Sequence, residues 1–502
     1  MALPHLKREI GLLQATSINM IDMVGIGPFV TMPLVIGIFG RKVFLWAWVF
    51  GAVTALIDGM IWSELGAAYP LAGGSYNFLK QGYGSKYGPL LSFLFVWQTC
   101  LQAPLVVASG AIGFAQYFGY LIPLGPVASK VVSGSVVILI VLLLYRNIRT
   151  IGRISVLLWA GVIITICWII ISGFTHRQVS YSCLPAQGGA SIFSMSFLIL
   201  LGQSSVKTIY SYLGYYNVCH LGGEIRNPGK NIPRSIFISI FGIAALYIFM
   251  NLGIVGVVPW QEAMHSKFIV STFMERVYGH RMAMIATMLV LWIAFASLFA
   301  VVLGYSRVPY AAAADGAFFP WFARLHPTKE FPYISLLFIG ALGFVFSLLF
   351  KLSEVISAIL AMRILVQFVA QAIGTVLLRE KRKKAAVAGG EEGAGAGAGV
   401  EAGVTAGEGV KVDDEVRGKA GVRVGRRDPA GSSPGAGNTR IPFRMWLYPL
   451  PVVLSVSIWL FVLVSTGWVA LLGLFLAAAG VVVYYSMRGL WLKEKGTKEQ
   501  ED

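Results

Sequence analysis

Met23-Val24-Gly25-Ile26-Gly27-Pro28-Phe29 interrupts an apolar stretch that runs from about residue 11 to 40. Glycine weakens a helix by about 1 kcal/mol and an interior proline by about 3. The proline also leaves one carbonyl without its partner. In lipid, the freed amides and carbonyls must face protein, water or a ligand. A simple kink would satisfy the same residues, so a second interruption matters. Tyr210-Ser211-Tyr212-Leu213-Gly214-Tyr215-Tyr216-Asn217 is polar for the middle of an apolar segment, with Gly214 at its centre. Corresponding breaks in two halves of a chain point to a transporter's binding site. There, half-helix N-termini favour carboxylates, and exposed carbonyls favour ammonium groups or cations.

The composition demands lipid as solvent. Of 502 residues, 57% are apolar and 13% charged, and mean hydropathy is +0.73; a soluble domain carries about 25% charged residues. The net charge of +17 raises the question of nucleic acid. Most basic residues, however, sit in short connections between apolar runs, where they orient a membrane protein, so no nucleic-acid partner is expected. Cys100, Cys167, Cys183 and Cys219 show neither metal-ligand nor disulfide-scaffold spacing, and read as packing residues. The first apolar run, of about thirty residues, is too long for the core of a signal peptide and reads as the first span.

A bilayer core needs roughly twenty apolar residues per helix. Spans are expected near 11–40, 44–69, 88–121, 130–148, 152–174, 192–220, 234–258, 283–306, 333–350, 353–378, 446–465 and 467–487. With the N-terminus cytoplasmic, the inner connections and termini carry 17 Lys and Arg without counting the stretch at 379–444, such as Arg146, Arg149 and Arg226, against 8 outside. The asymmetry puts both termini inside. A stretch at 379–444, opened by Arg379, Lys381, Arg382, Lys383 and Lys384, continues Gly/Ala-rich. It has too few large apolar residues to pack, and reads as a disordered cytoplasmic loop. The organisation expected is a core of ten spans over 1–378, the loop over 379–444, and two spans with a cytoplasmic tail over 445–502.

Other stretches carry a resemblance. They are Gly25-Ile26-Gly27-Pro28-Phe29; Glu64-Leu65-Gly66-Ala67-Ala68-Tyr69-Pro70, continuing Leu71-Ala72-Gly73-Gly74-Ser75-Tyr76; Gly222-Gly223-Glu224-Ile225-Arg226-Asn227-Pro228, continuing Gly229-Lys230-Asn231-Ile232-Pro233-Arg234; and Tyr305-Ser306-Arg307 with Ala314-Asp315-Gly316-Ala317-Phe318-Phe319-Pro320. In order, these resemble the amino acid–polyamine–organocation (APC) superfamily of permeases from about residue 11 to 380. The first departs from the family's Gly-Ser-Gly-Ile-Phe element at Ile26 and Pro28. The resemblance implies a five-plus-five inverted repeat with helices 1 and 6 broken, plus two C-terminal helices. It implies a secondary active transporter of amino acids in the plasma (inner) membrane, with polyamine or other organic amine transport as the alternative and a ligand sensor on the same scaffold as a lesser one. Residue by residue, it assigns the substrate carboxylate to the backbone of Gly25, Ile26 and Gly27. It assigns the amino group to carbonyls around Tyr210 and Leu213 beside Tyr212 and Gly214, and gating to Tyr210 and Tyr216. Many relatives hold a lysine in the fifth helix in place of a sodium ion; Val162 stands there in this chain.

Several polar residues inside the spans are candidates in their own right. Asp22, three residues before Gly25, is a charge inside the membrane. It can accept a substrate amine, carry a proton, ligate a cation, or serve as a structural carboxylate. Gln203, Ser204, Lys207, Tyr210 and Ser211 share one helical face by their spacing and suggest an entry path, with snorkelling or structural pairing of Lys207 as the alternative. Gln98 and Gln102, one turn apart, suit a pocket wall or a helix–helix contact equally. Asp58 and Arg363 read as interior pairs or interfacial residues. No catalytic residue, metal or cofactor is expected. Coupling to a proton or to sodium is left open, as is oligomeric state. The expected partners are an amino acid or amine and the lipid bilayer.

Overall fold

The computed structural model describes residues 6–39, 44–178, 194–396 and 442–498. Cys183 and most of the 379–444 stretch lie outside the described residues. Among the described residues the chain is helical, with isolated β-bridges only between Ile10 and Ile225 and between Ala72 and Leu221.

The elements are α1 (Leu12–Met23), α2 (Gly27–Phe39), α3 (Phe44–Ala68), α4 (Ser75–Leu121), α5 (Pro126–Leu144), α6 (Ile148–Thr175), α7 (Met195–Tyr212) and the short α8 (Asn217–His220). They continue with α9 (Pro228–Val255), α10 (Trp260–Ala263), α11 (Ile269–Tyr278), α12 (His280–Tyr305), α13 (Arg307–Ala314), α14 (Tyr333–Leu349), α15 (Leu352–Arg363), α16 (Gln371–Ala396), α17 (Leu450–Ser465) and α18 (Ala470–Lys498). Among the described residues, eight helices are long and apolar enough to cross a membrane, or nine if the bent pair α1–α2 is one span. Helices α14 and α17 are apolar but shorter.

Local chemistry explains the ends. The side chain of Asn147 caps α6 by accepting from the Thr150 amide at 3.0 Å. Pro126 opens α5, where its missing N–H costs nothing. The third span, expected from residue 88, is the part of α4 that follows Gly84, where φ 65° lets the chain turn sharply between two helices. One boundary differs from the sequence expectation. The loop expected from residue 379 is entered as helix, because α16 runs on to Ala396. Arg379 is held there by Glu64, at 2.7 Å from Nε and 2.5 Å from Nη2.

Helix α3 packs along α9 and α7, and α4 along α12 and α14. Gly173 and Gly253 let α6 and α9 approach closely: a Cβ on Gly173 would lie 2.4 Å from the Gly253 Cα. Trp48, Trp62, Phe78 and Tyr247 fill the interior. The outward faces keep large apolar side chains exposed, among them Leu142, Ile164, Phe241 and Val482. Polar contacts tie the N-terminal segment to one end of the bundle. The Glu9 and Ile10 amides donate to the Glu224 carbonyl at 3.0 Å, and the Arg226 amide to that of Ile10 at 2.8 Å. Asp315 accepts from Tyr76 at 2.8 Å and also binds Lys80.

Candidate functional site

The two interruptions meet. Helix α1 ends at Met23, the backbone turns through Val24–Ile26, and α2 leaves at 42° to it. At the second break, Leu213 is extended and Gly214 takes φ 120°, which a side chain would strain. A Cβ on Gly214 would also lie 2.8 Å from the Asp22 carbonyl carbon and the Met23 nitrogen. One break therefore rests against the other at a glycine.

Side chains then join them. Asn217 donates from Nδ2 to Asp22 Oδ2 and to the Ala300 carbonyl, both at 2.8 Å. The Val218 amide, at the start of α8, donates to Asn19 Oδ1 at 2.9 Å. Thr31 and Ser211 share a hydrogen bond of 2.9 Å. The Tyr247 hydroxyl reaches carbonyls on both breaks, Met23 at 2.8 Å and Ser211 at 3.0 Å. The contacts to Asp22, to the Val218 amide and to the Met23 and Ser211 carbonyls satisfy groups that the broken helices would leave unpaired in lipid.

Between the breaks and helices α4, α12 and α15 lies a cavity. Of the residues singled out in the sequence, Asp22, Gly25, Ile26, Gly27, Tyr210, Leu213, Gly214 and Tyr216 line it. The amides of Ile26, Gly27 and Phe29 donate to no carbonyl among the described residues, so the α2 N-terminus is chemically an anion cradle. Tyr210 shares a 2.9 Å hydrogen bond with Ser109. Tyr216 stacks on Trp62 at 4.5 Å.

Four residues are elsewhere. Tyr212 is buried against Trp48 and Tyr247, with ring centroids at 6.2 and 5.1 Å, and does not line the cavity. Gln98 and Gln102 are buried in α4 outside its wall, and Lys207 is half-buried on α7. The polar stripe around Lys207 divides: Gln203 is exposed, while Ser204 turns back to the Leu200 carbonyl at 2.9 Å. Asp58 is fully inside, accepting from Tyr215 at 2.5 Å, Trp62 at 2.8 Å, Ser455 at 3.2 Å and Trp459 at 3.4 Å.

The wall also holds residues that the sequence reading did not assign to a site: Ser109, Ser297, Tyr305 and Arg363. Arg363 is buried and donates from Nη1 to the Tyr216 hydroxyl. Its charge acts on Asp22 across the cavity, and the two form no ion pair. A lone arginine in an apolar tenth span was the available signal.

Residues 10–390 match the family model described as amino acid permease. This chain belongs to the amino acid permease family. Its apolar helices and that membership make it a multi-pass membrane protein. The permease is 27% identical to the serine/threonine exchanger SteT of Bacillus subtilis (strain 168), over 70% of this chain and 79% of that one. It is 29% identical to the large neutral amino acids transporter small subunit 2 of Oryctolagus cuniculus, over 66% of this chain and 63% of that one. Its identity to the branched-chain amino acid permease BcaP of Bacillus subtilis is 22%, over 75% and 82%. The sequence resemblance to the APC superfamily thus stands, and these relatives are transporters rather than enzymes.

Proposed function

We propose that this permease is a secondary active transporter that carries amino acids across the membrane by alternating access, with substrate held between the two breaks. The observation that carries this reading is the joined pair of breaks: the α1–α2 turn and the α7–α8 turn enclose one cavity whose wall includes Asp22, Gly27, Tyr210 and Gly214. An ammonium suits Asp22 and the carbonyls around Tyr210 and Leu213. A carboxylate suits the amides of the α2 N-terminus. Tyr210 and Tyr216 are the gating side chains, moving as the wall opens to one side or the other.

The membrane arrangement belongs to the same proposal. It comprises twelve spans, a five-plus-five inverted repeat with the first and sixth helices broken, two further helices, and both termini on the cytoplasmic side of the plasma membrane. The polar end of the bundle, with Glu224, Arg307 and the N-terminal segment, is then the cytoplasmic end. Asp22 is the group through which a proton or sodium ion would be coupled, since fifth-span Val162 carries no charge. Arg363 in the same wall works against a polycationic substrate, which favours amino acids over polyamines.

Purified protein in liposomes tests the reading. Saturable uptake and counterflow of at least one amino acid from a panel spanning small, branched, aromatic and acidic side chains is expected. Binding without translocation would make the protein a sensor, and non-saturating flux would make it a channel.

A further inference from the structure

Arg363 is 3% exposed and stands at the C-terminal end of α15, where the helix widens into a π-helical turn over Ile364–Ala370. Such turns inside α-helices are frequent at functional sites. Its guanidinium lies 5.0 Å from the ring centre of Tyr305 and 5.5 Å from that of Tyr216. Ring faces attract the cation but accept none of its in-plane N–H groups. Nη1 is engaged with the Tyr216 hydroxyl, whereas Nε and Nη2 have no partner among the described residues.

That pair of nitrogens is the edge other arginines here use to hold a carboxylate. Arg307 grips Glu224 through Nε at 3.1 Å and Nη2 at 3.0 Å. Arg379 grips Glu64 through the same two atoms. Nε and Nη2 form a planar fork matched to the two oxygens of a carboxylate. A buried guanidinium with this edge unpaired is costly unless an anion comes to it.

Counting complementary groups around the cavity gives the charge pattern of the ligand. The α2 amides supply a place for one carboxylate. Asp22 has one oxygen on Asn217 and can turn the other to an ammonium. Those two complete an amino acid's backbone, and the Arg363 fork, on a different helix, is left over. We infer that Arg363 reads a second carboxylate, carried on the substrate's side chain, so that the amino acids this permease prefers are the acidic ones. The inference rests on the proposal that amino acids occupy this cavity.

The test compares glutamate with glutamine and aspartate with asparagine, pairs of nearly equal shape that differ in the side-chain charge, using the full-length protein in liposomes. The parent protein is expected to take up each acid about ten- to a hundred-fold more efficiently than its amide, the range of one charge-assisted hydrogen-bonded contact. Arg363→Gln should bring that ratio to within about threefold, and Arg363→Lys, which keeps the charge but not the fork, should fall between. A parent that moves the amides as well as the acids overturns the inference and leaves amino acid transport standing. Loss of acids and amides in equal proportion in a monodisperse Arg363→Gln protein also overturns it, because Arg363 would then serve the backbone carboxylate or the cavity's shape. If Arg363→Gln does not fold, the parent's acid-to-amide ratio decides alone. A parent that moves no amino acid from the wider panel removes the function itself.

Discussion

Arg307 and Arg363 are both buried, at 1% and 3% exposure, and both lie inside the helical bundle. Their surroundings are opposite. Arg307 spends every nitrogen, gripping Glu224 with two and giving Nη1 to the Leu303 carbonyl at 3.1 Å and the Ser306 hydroxyl at 2.9 Å. Arg363 has one protein partner and two tyrosine faces. A saturated buried cation fixes one arrangement of the elements it joins. An unsaturated one is poised for something else. The polar end of the bundle and the cavity therefore use the same side chain for different ends, the first to hold the fold and the second to meet a ligand.

The largest effect should come from breaking the saturated site. Arg307→Met strands the Glu224 carboxylate, and removing one partner of a buried pair costs about 3–5 kcal/mol. Thermal unfolding in detergent should show a strongly destabilised or aggregated protein, and Glu224→Met combined with Arg307→Met should recover most of the loss. Arg363→Met removes a cation that was never fully paired, and should leave stability near the parent's or raise it. Equal destabilisation by the two single variants would erase the contrast.

The next effect tests whether the cavity depends on the meeting of the breaks. Gly214→Ala forces a side chain into φ 120° and onto the Asp22–Met23 backbone at 2.8 Å. Backbone strain of this kind costs about 1–3 kcal/mol. Because it falls on the contact between the breaks, uptake should be lost while the protein still inserts. Gly27→Leu should likewise abolish uptake, since even a Cβ there would approach Ser211 Oγ and the Tyr210 ring at 3.3 Å. Normal transport by both variants would move the substrate site away from the breaks.

Asp22→Asn separates two roles on the cavity side. It keeps the size of the residue that accepts from Asn217. If Asp22 binds the substrate amine, exchange of labelled substrate and its accumulation should fall together, by roughly tenfold or more for a contact to a charged group. Exchange that persists while accumulation fails would assign Asp22 to ion coupling instead.

These contrasts also measure what was legible in the sequence. Gly25, Gly27 and Gly214 announced themselves because backbone effects are local: clustered residues that weaken a helix mark their own position. The apolar runs were equally plain, since crossing lipid needs length and composition alone. Partnerships across the bundle were not legible. Nothing near Asp58 foretells Ser455 and Trp459, and nothing near Arg363 foretells Tyr216, because those pairs are made by packing over long separations. Gln98, Gln102 and Lys207 lie outside the cavity wall for a related reason. Spacing assigns residues to a shared helical face, but neighbouring helices decide which face looks inward.

The smallest effect should come at a third arginine. Arg379 grips Glu64 through Nε and Nη2, as Arg307 grips Glu224, and Glu64 also accepts the Met445 amide at 2.8 Å. One carboxylate thus pins the chain both before and after the low-complexity stretch. The two ends of that stretch are fixed by the bundle and not by its length. Deleting about 397–435 leaves the ten residues from 436 to 445 to return from the end of α16 at Ala396 to Glu64. From Arg379 to Ala396 is 17 residues of helix, about 25 Å at 1.5 Å per residue. Ten extended residues reach about 33 Å, so the closure is possible without pulling Met445 from its partner. Shortening the connection between Ala396 and Met445 to ten residues is a little over two doublings in length and changes its closure entropy by only about 1.4 kcal/mol. Uptake and unfolding temperature should therefore stay near the parent's. Glu64→Gln, which removes the pin and leaves the stretch intact, should destabilise the protein more than the deletion does. The reverse order would mean that the stretch itself, rather than the clamp at its base, holds the last two helices to the core.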